Sequence, residues 1–103
     1  MQNKVSEFNK KKNFNQQELS PSARLLDIQS ELGELSKEYL KHSNYGSSDF
    51  LLEEHFKLEF GDVLYSLLSL ADELKLDANE CLDKVILKYT SRIENKGSMD
   101  SGN

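Results

Sequence analysis

From Leu25 to Leu74 the apolar residues recur every three or four positions on both sides of a short polar segment, Asn44 to Ser48. Before that segment the series is Leu25, Ile28, Leu32, Leu35 and Tyr39. After it the series is Leu52, Phe56, Phe60, Val63, Leu64, Leu67, Leu70, Ala71 and Leu74. This is the period of α-helices that each turn one side toward a core. Nothing in the chain alternates with a period of two over a useful length, so strands are not expected. Ser20-Pro21 provides a helix start, with Ser as N-cap and Pro at the first helical position, and the first stripe carries that helix to about His42. Asn44, Gly46, Ser47 and Ser48 supply a turn. The second helix is expected from near Ser48 or Asp49 to about Leu74, and an apolar arc this wide calls for more than one partner helix.

The Leu76-Asp77 junction ends the second helix. Asp77 with Glu80 three residues later is a capping-box signal for a third, on which Cys81, Leu82, Val85, Ile86, Tyr89 and Ile93 keep the helical period. The expected fold is all-α, an antiparallel helical hairpin plus a third long helix over residues 20–95. Residues 1–19 are polar and locally basic at Lys10, Lys11 and Lys12, with Val5, Phe8, Phe14 and Leu19 as anchors, and read as a short helix or a partly disordered segment. Residues 96–103 read as a flexible tail.

A length of 103 residues fits one domain. Hydrophobic residues at 37% are modest for a self-sufficient core of that size, so self-association is expected. The net charge of −5 and pI near 5.0 disfavour nucleic acid and anionic membranes as partners. The longest apolar stretch, Val63 to Ala71, is interrupted by Tyr65, Ser66 and Ser69 and is too short to span a bilayer. No secretory signal is visible. Cys81 has no second cysteine to pair with, which fits a cytoplasmic location, and its place on the third helix predicts buried packing rather than nucleophilic chemistry.

Two pairs of acids, Glu31-Leu-Gly-Glu34 and Glu59-Phe-Gly-Asp62, flank the turn symmetrically. The midpoint of Glu34 and Glu59 and the midpoint of Glu31 and Asp62 both fall between Gly46 and Ser47. A chain reversal there brings all four acids level, each pair projecting from one side of its helix. Such a cluster repels itself, and an oxygen-only donor set of this kind suits a hard divalent ion, Mg²⁺ or Mn²⁺, better than zinc. Glycine inside a helix costs roughly 1 kcal/mol against alanine. Gly33 and Gly61 each sit within an acidic pair, where a missing side chain leaves room for a helix or a ligand. His55 lies four residues before Glu59 and His42 four after Glu38, spacings that make exposed helix pairs. Neither makes the Glu-x-x-His pair of a di-iron bundle. Neither a P-loop nor a Gly-x-Gly-x-x-Gly is present.

The spacing Glu31-x-x-Glu34, about two dozen residues, then Glu59-Phe-Gly-Asp62-Val-Leu resembles the ExxE…ExxD signature of MazG-like nucleotide pyrophosphohydrolases, an all-α superfamily. Upstream, the segment Phe14 to Leu26 is similar to the lead into the first metal-binding helix of single-domain members. Downstream, Lys84 to Arg92 is similar to their last helix. The resemblance implies Mg²⁺-dependent hydrolysis of a (d)NTP between the α and β phosphates, giving the nucleoside monophosphate and pyrophosphate. It implies Glu31, Glu34, Glu59 and Asp62 as metal ligands, with Glu38 and Glu34 the candidates for water activation. Lys84, Lys88 and Arg92, recurring every four residues, would meet substrate phosphates, with Tyr89 and Phe14 as further substrate contacts. Phe14 stands where several relatives carry tryptophan, and Leu87 where some carry asparagine, so base preference does not carry over. The resemblance also implies a homodimer or homotetramer. Two alternatives stay open: a pyrophosphohydrolase of the phosphoribosyl-ATP type, and a non-catalytic helical module that binds metal or a protein partner.

Overall fold

The computed structural model of the chain describes residues 1–12, 20–43 and 53–96. Those residues form four helices and no strand: α1 (Gln2–Lys12), α2 (Pro21–His42), α3 (Glu54–Glu73) and α4 (Ala78–Lys96). The helix ends follow local chemistry. The Ser20 side chain accepts a hydrogen bond from the Ala23 amide at 3.1 Å, with Pro21 at the first helical position, so the expected start holds. Asp77 Oδ1 accepts from the Glu80 amide at 3.2 Å, capping α4. α3 begins at Glu54, with Glu53 extended as an N-cap that makes no side-chain cap bond, about five residues later than the start expected near Ser48 or Asp49; the turn at Tyr45 to Ser48, Leu52 and the tail from Gly97 lie outside the described residues.

α3 stops in a way the sequence does not announce. Lys75 takes φ 61°, the left-handed conformation usually left to glycine. The Leu76 amide bonds the Ala71 carbonyl at 2.8 Å and the Lys75 amide bonds the Asp72 carbonyl at 3.2 Å. This is a Schellman closure with lysine in the glycine position.

α3 is the central element. α2 packs along one side of it and α1 along another, so the wide apolar arc does find two partners. Near the turn end, the rings of Tyr39 on α2 and Phe56 on α3 meet at 6.5 Å between centroids. The α1–α3 seam is largely polar. Lys12 Nζ donates to the Tyr65 hydroxyl at 3.1 Å, that hydroxyl donates to Asn9 Oδ1, and Asn9 Nδ2 donates to Ser69 Oγ at 3.0 Å. Ser6 bonds Asp72 at 3.1 Å, and Gln2 bridges the α3–α4 junction by donating to the Leu76 carbonyl and accepting from the Ala78 amide, both at 2.8 Å. Hydrogen bonds of this type align two helices without the burial that a leucine seam would supply. They give residues 1–12 a defined helical position.

The enclosed apolar core is small. Among the described residues the buried hydrophobic side chains are Val5, Leu68, Leu70 and Ala71, and they share the interior with Asn9, Arg24, Ser43, Ser66 and Ser69. α4 leaves the α1–α2–α3 layer and packs along none of these helices. The radius of gyration is accordingly 17.1 Å, against about 13 Å for a compact chain of this length. Leu82, Ile86, Leu87 and Ile93 on α4 are all about half exposed or more. Cys81, expected to be buried, is exposed. Its apolar helix face is real, but among the described residues no helix packs along it.

Candidate functional site

The site is built on the facing sides of α2 and α3, and contacts along the two helices fix their relative register. At the end far from the turn, Arg24 donates to Glu73 Oε1 through Nε at 3.2 Å and Nη2 at 2.9 Å. In the middle, Ser66 Oγ donates to Glu31 Oε1 at 2.7 Å. Near the turn, His55 Nε2 lies 3.3 Å from Glu59 Oε1 and 3.9 Å from Glu38 Oε2. The direct bonds Arg24–Glu73 and Ser66–Glu31 show that α2 and α3 pack antiparallel, but they set Glu31 opposite Ser66, one turn beyond Asp62, rather than level with Asp62 as the symmetry about the turn predicts.

Glu31 is half-buried on α2. Burial lifts its carboxyl above the ordinary carboxylic range. The Ser66 hydrogen bond opposes that lift, while the hydrogen bond and charge of Asp27 and the charge of Asp62 add to it. Glu59 is half-buried, whereas Glu34 and Asp62 are exposed. Glu38 joins the Glu59 end of the site through His55, which when protonated bridges the two carboxylates. Of the four predicted ligands, Glu31 feels the charge of Asp62 and Glu59 meets Glu38 through His55, while Glu34 stands exposed on α2. Among the described residues, no three His, Cys, Asp or Glu side chains are gathered closely enough to hold a metal ion.

Three site residues escaped the sequence reading or were undervalued by it. Asp27 lies one helical turn before Glu31 and Ser66 one turn after Asp62, so the four-residue period could have found both. His55 was read only as an exposed partner of Glu59, yet it also approaches Glu38. At Gly33 and Gly61 an added Cβ would meet nothing within 4 Å. Among the described residues, no helix packs into either gap.

The cations of α4 stand apart from the acids. Lys84 pairs with Glu80 at 3.4 Å. Lys88 and Arg92 flank the half-buried Tyr89, 5.3 Å and 5.9 Å from its ring centroid. Arg92 Nη1 is buried and has no hydrogen-bond partner, an unsatisfied donor of the kind that calls for an acceptor from outside the chain. None of the three bonds an acid of α2 or α3. Phe14 lies outside the described residues. No described helix is long and apolar enough to cross a membrane.

No family model matches the sequence, and no solved structure matches the fold. The chain is 34% identical over 82 residues to the uncharacterized protein YpjD of Bacillus subtilis (strain 168), across 77% of this chain and 72% of that protein. With that identity sustained over most of both chains, including the α2–α3 hairpin that carries the acids, the protein belongs to the YpjD family.

Proposed function

We propose that this protein is a Mg²⁺-dependent nucleoside triphosphate pyrophosphohydrolase of the MazG-like type, releasing pyrophosphate and a nucleoside monophosphate, and that it acts as a homo-oligomer. The observation that carries this reading is the α2–α3 register, in which Glu31 feels the charge of Asp62 and Glu38 shares His55 with Glu59. The donor set suits a divalent cation. It is made of oxygens and its members repel one another, and the burial and neighbouring charges that raise the Glu31 carboxyl are ones a bound cation would offset. Glu31, Glu34, Glu59 and Asp62 would hold the ion, whose charge would neutralise phosphate oxygens and lower the pKa of water. Glu38, which shares His55 with Glu59, would orient water and accept its proton. Lys88 and Arg92 would bind phosphate oxygens, and the partnerless Arg92 Nη1 supports that role.

Self-association is supported by the small enclosed core and by the uncovered apolar side of α4. A second copy would cover that side, and it could bring α4 cations toward acids that they do not reach within one chain. A second reading, a non-catalytic helical module, is favoured by the absence of a tight three-acid cluster among the described residues.

Pyrophosphate release from canonical and damaged NTPs and dNTPs, and from phosphoribosyl-ATP, separates these readings. The assay is run with Mg²⁺ or Mn²⁺, and with EDTA as control. Metal-dependent release with monophosphate product from a (d)NTP is the expected result. No release from any substrate by folded, metal-supplied protein would overturn the enzymatic reading, and release from phosphoribosyl-ATP alone would reassign the substrate.

A further inference from the structure

Ser66 is 2% exposed and sits mid-helix on α3. A serine there commonly bonds back to the carbonyl four residues earlier, as Ser36 Oγ does to the Leu32 carbonyl at 3.1 Å. Ser66 instead reaches across to α2 and gives its proton to Glu31 Oε1 at 2.7 Å. The hydroxyl lies between the two helices that carry the acids, one turn beyond Asp62. It ties down one oxygen of Glu31, so the carboxylate cannot swing freely and its second oxygen keeps a fixed direction.

We infer that Ser66 is a positioning residue for the acid site, holding the Glu31 carboxylate ready for a divalent cation through the Ser66 Oγ to Glu31 Oε1 hydrogen bond. The inference rests on the proposed metal-binding role of Glu31. Carboxylate ligands depend on such supporting bonds because an unrestrained carboxylate loses rotamer freedom when it binds, and loss of the supporting partner typically weakens metal affinity about 10–100-fold.

The test uses the full chain and Mn²⁺ alone, with binding read from loss of the free-ion electron paramagnetic resonance signal. Folding and metal-free Tm are followed by circular dichroism. Ser66→Ala is expected to weaken Mn²⁺ binding about tenfold, Ser66→Thr to restore it, and Ser66→Ala to add nothing once Glu31→Gln is present. A purely structural serine would lower the metal-free Tm and leave Mn²⁺ affinity unchanged, and that result overturns the inference while the acid site stands. Equal loss from Ser66→Ala with and without Glu31→Gln overturns it too. Wild-type protein that binds no Mn²⁺ overturns the acid-site reading itself.

Discussion

The Arg24–Glu73 pair anchors the end of the α2–α3 hairpin opposite the turn, and Arg24→Met tests how much the register depends on it. The two side chains are 6% and 16% exposed. Both guanidinium contacts go to one oxygen, Glu73 Oε1, while Glu73 Oε2 is buried without a hydrogen-bond partner. Arg24→Met keeps most of the volume and leaves a largely enclosed carboxylate with no donor. Breaking one side of a buried pair costs roughly 3–5 kcal/mol, and the residual exposure of Glu73 places this one near about 3 kcal/mol. With a urea slope of about 1.5 kcal/mol/M for a small domain, the denaturation midpoint should fall by about 2 M. The double variant Arg24→Met with Glu73→Leu should recover most of the loss, because the cost comes from the stranded charge rather than from an absent attraction. Urea denaturation followed by circular dichroism at fixed protein concentration reads both. A midpoint within about 0.3 M of wild type for the single variant would refute the reasoning, and so would a double variant as unstable as the single.

Asp62→Asn removes one charge with little change of shape at an exposed position. It should abolish metal-dependent pyrophosphate release and leave the circular dichroism spectrum unchanged, and full activity in this variant would mean that the acid site is misassigned. Ile86→Glu puts a charge on the uncovered side of α4 and should shift the light-scattering mass toward the monomer. An unchanged oligomer would show that this face is not the contact, and an active monomeric wild type would remove the need for assembly. The pH dependence of metal-free stability should carry the mark of Glu31. Burial raises its folded pKa above the ordinary carboxylic range, so its contribution is complete below the unfolded pKa and is lost as pH rises through the raised one. Glu31→Gln should therefore gain stability relative to wild type over that rise, and a difference that stays flat with pH would contradict the assignment.

Much of this architecture was legible because it is local. Ser20-Pro21 and Asp77 mark helix starts through hydrogen bonds within three residues of sequence, and these hold in the structure. The placement of the acids about the turn predicted that α2 and α3 pack antiparallel, because rise per residue is the same in both helices, but the direct bonds set Glu31 opposite Ser66 rather than Asp62, about one turn from the expected alignment. The α1 seam could not be read in the same way. Gln2, Ser6, Asn9 and Lys12 carry no apolar signal, and each becomes a contact only because its partner on α3 or at the α3–α4 junction is brought near. Arg24 and Glu73 are likewise ordinary surface residue types until helix packing buries them together.

By itself the sequence determined the all-α class, the starts of α2 and α4 and the antiparallel pairing of α2 with α3, since all of these follow from short-range hydrogen bonding and the helical period. Only the tertiary structure decided that Glu31 is held by Ser66, that His55 links Glu38 to Glu59, and that α4 stands away from the layer with Cys81 and its apolar side uncovered. Those outcomes depend on which surfaces meet across long stretches of chain, and periodicity states that a helix has an apolar side without naming what covers it.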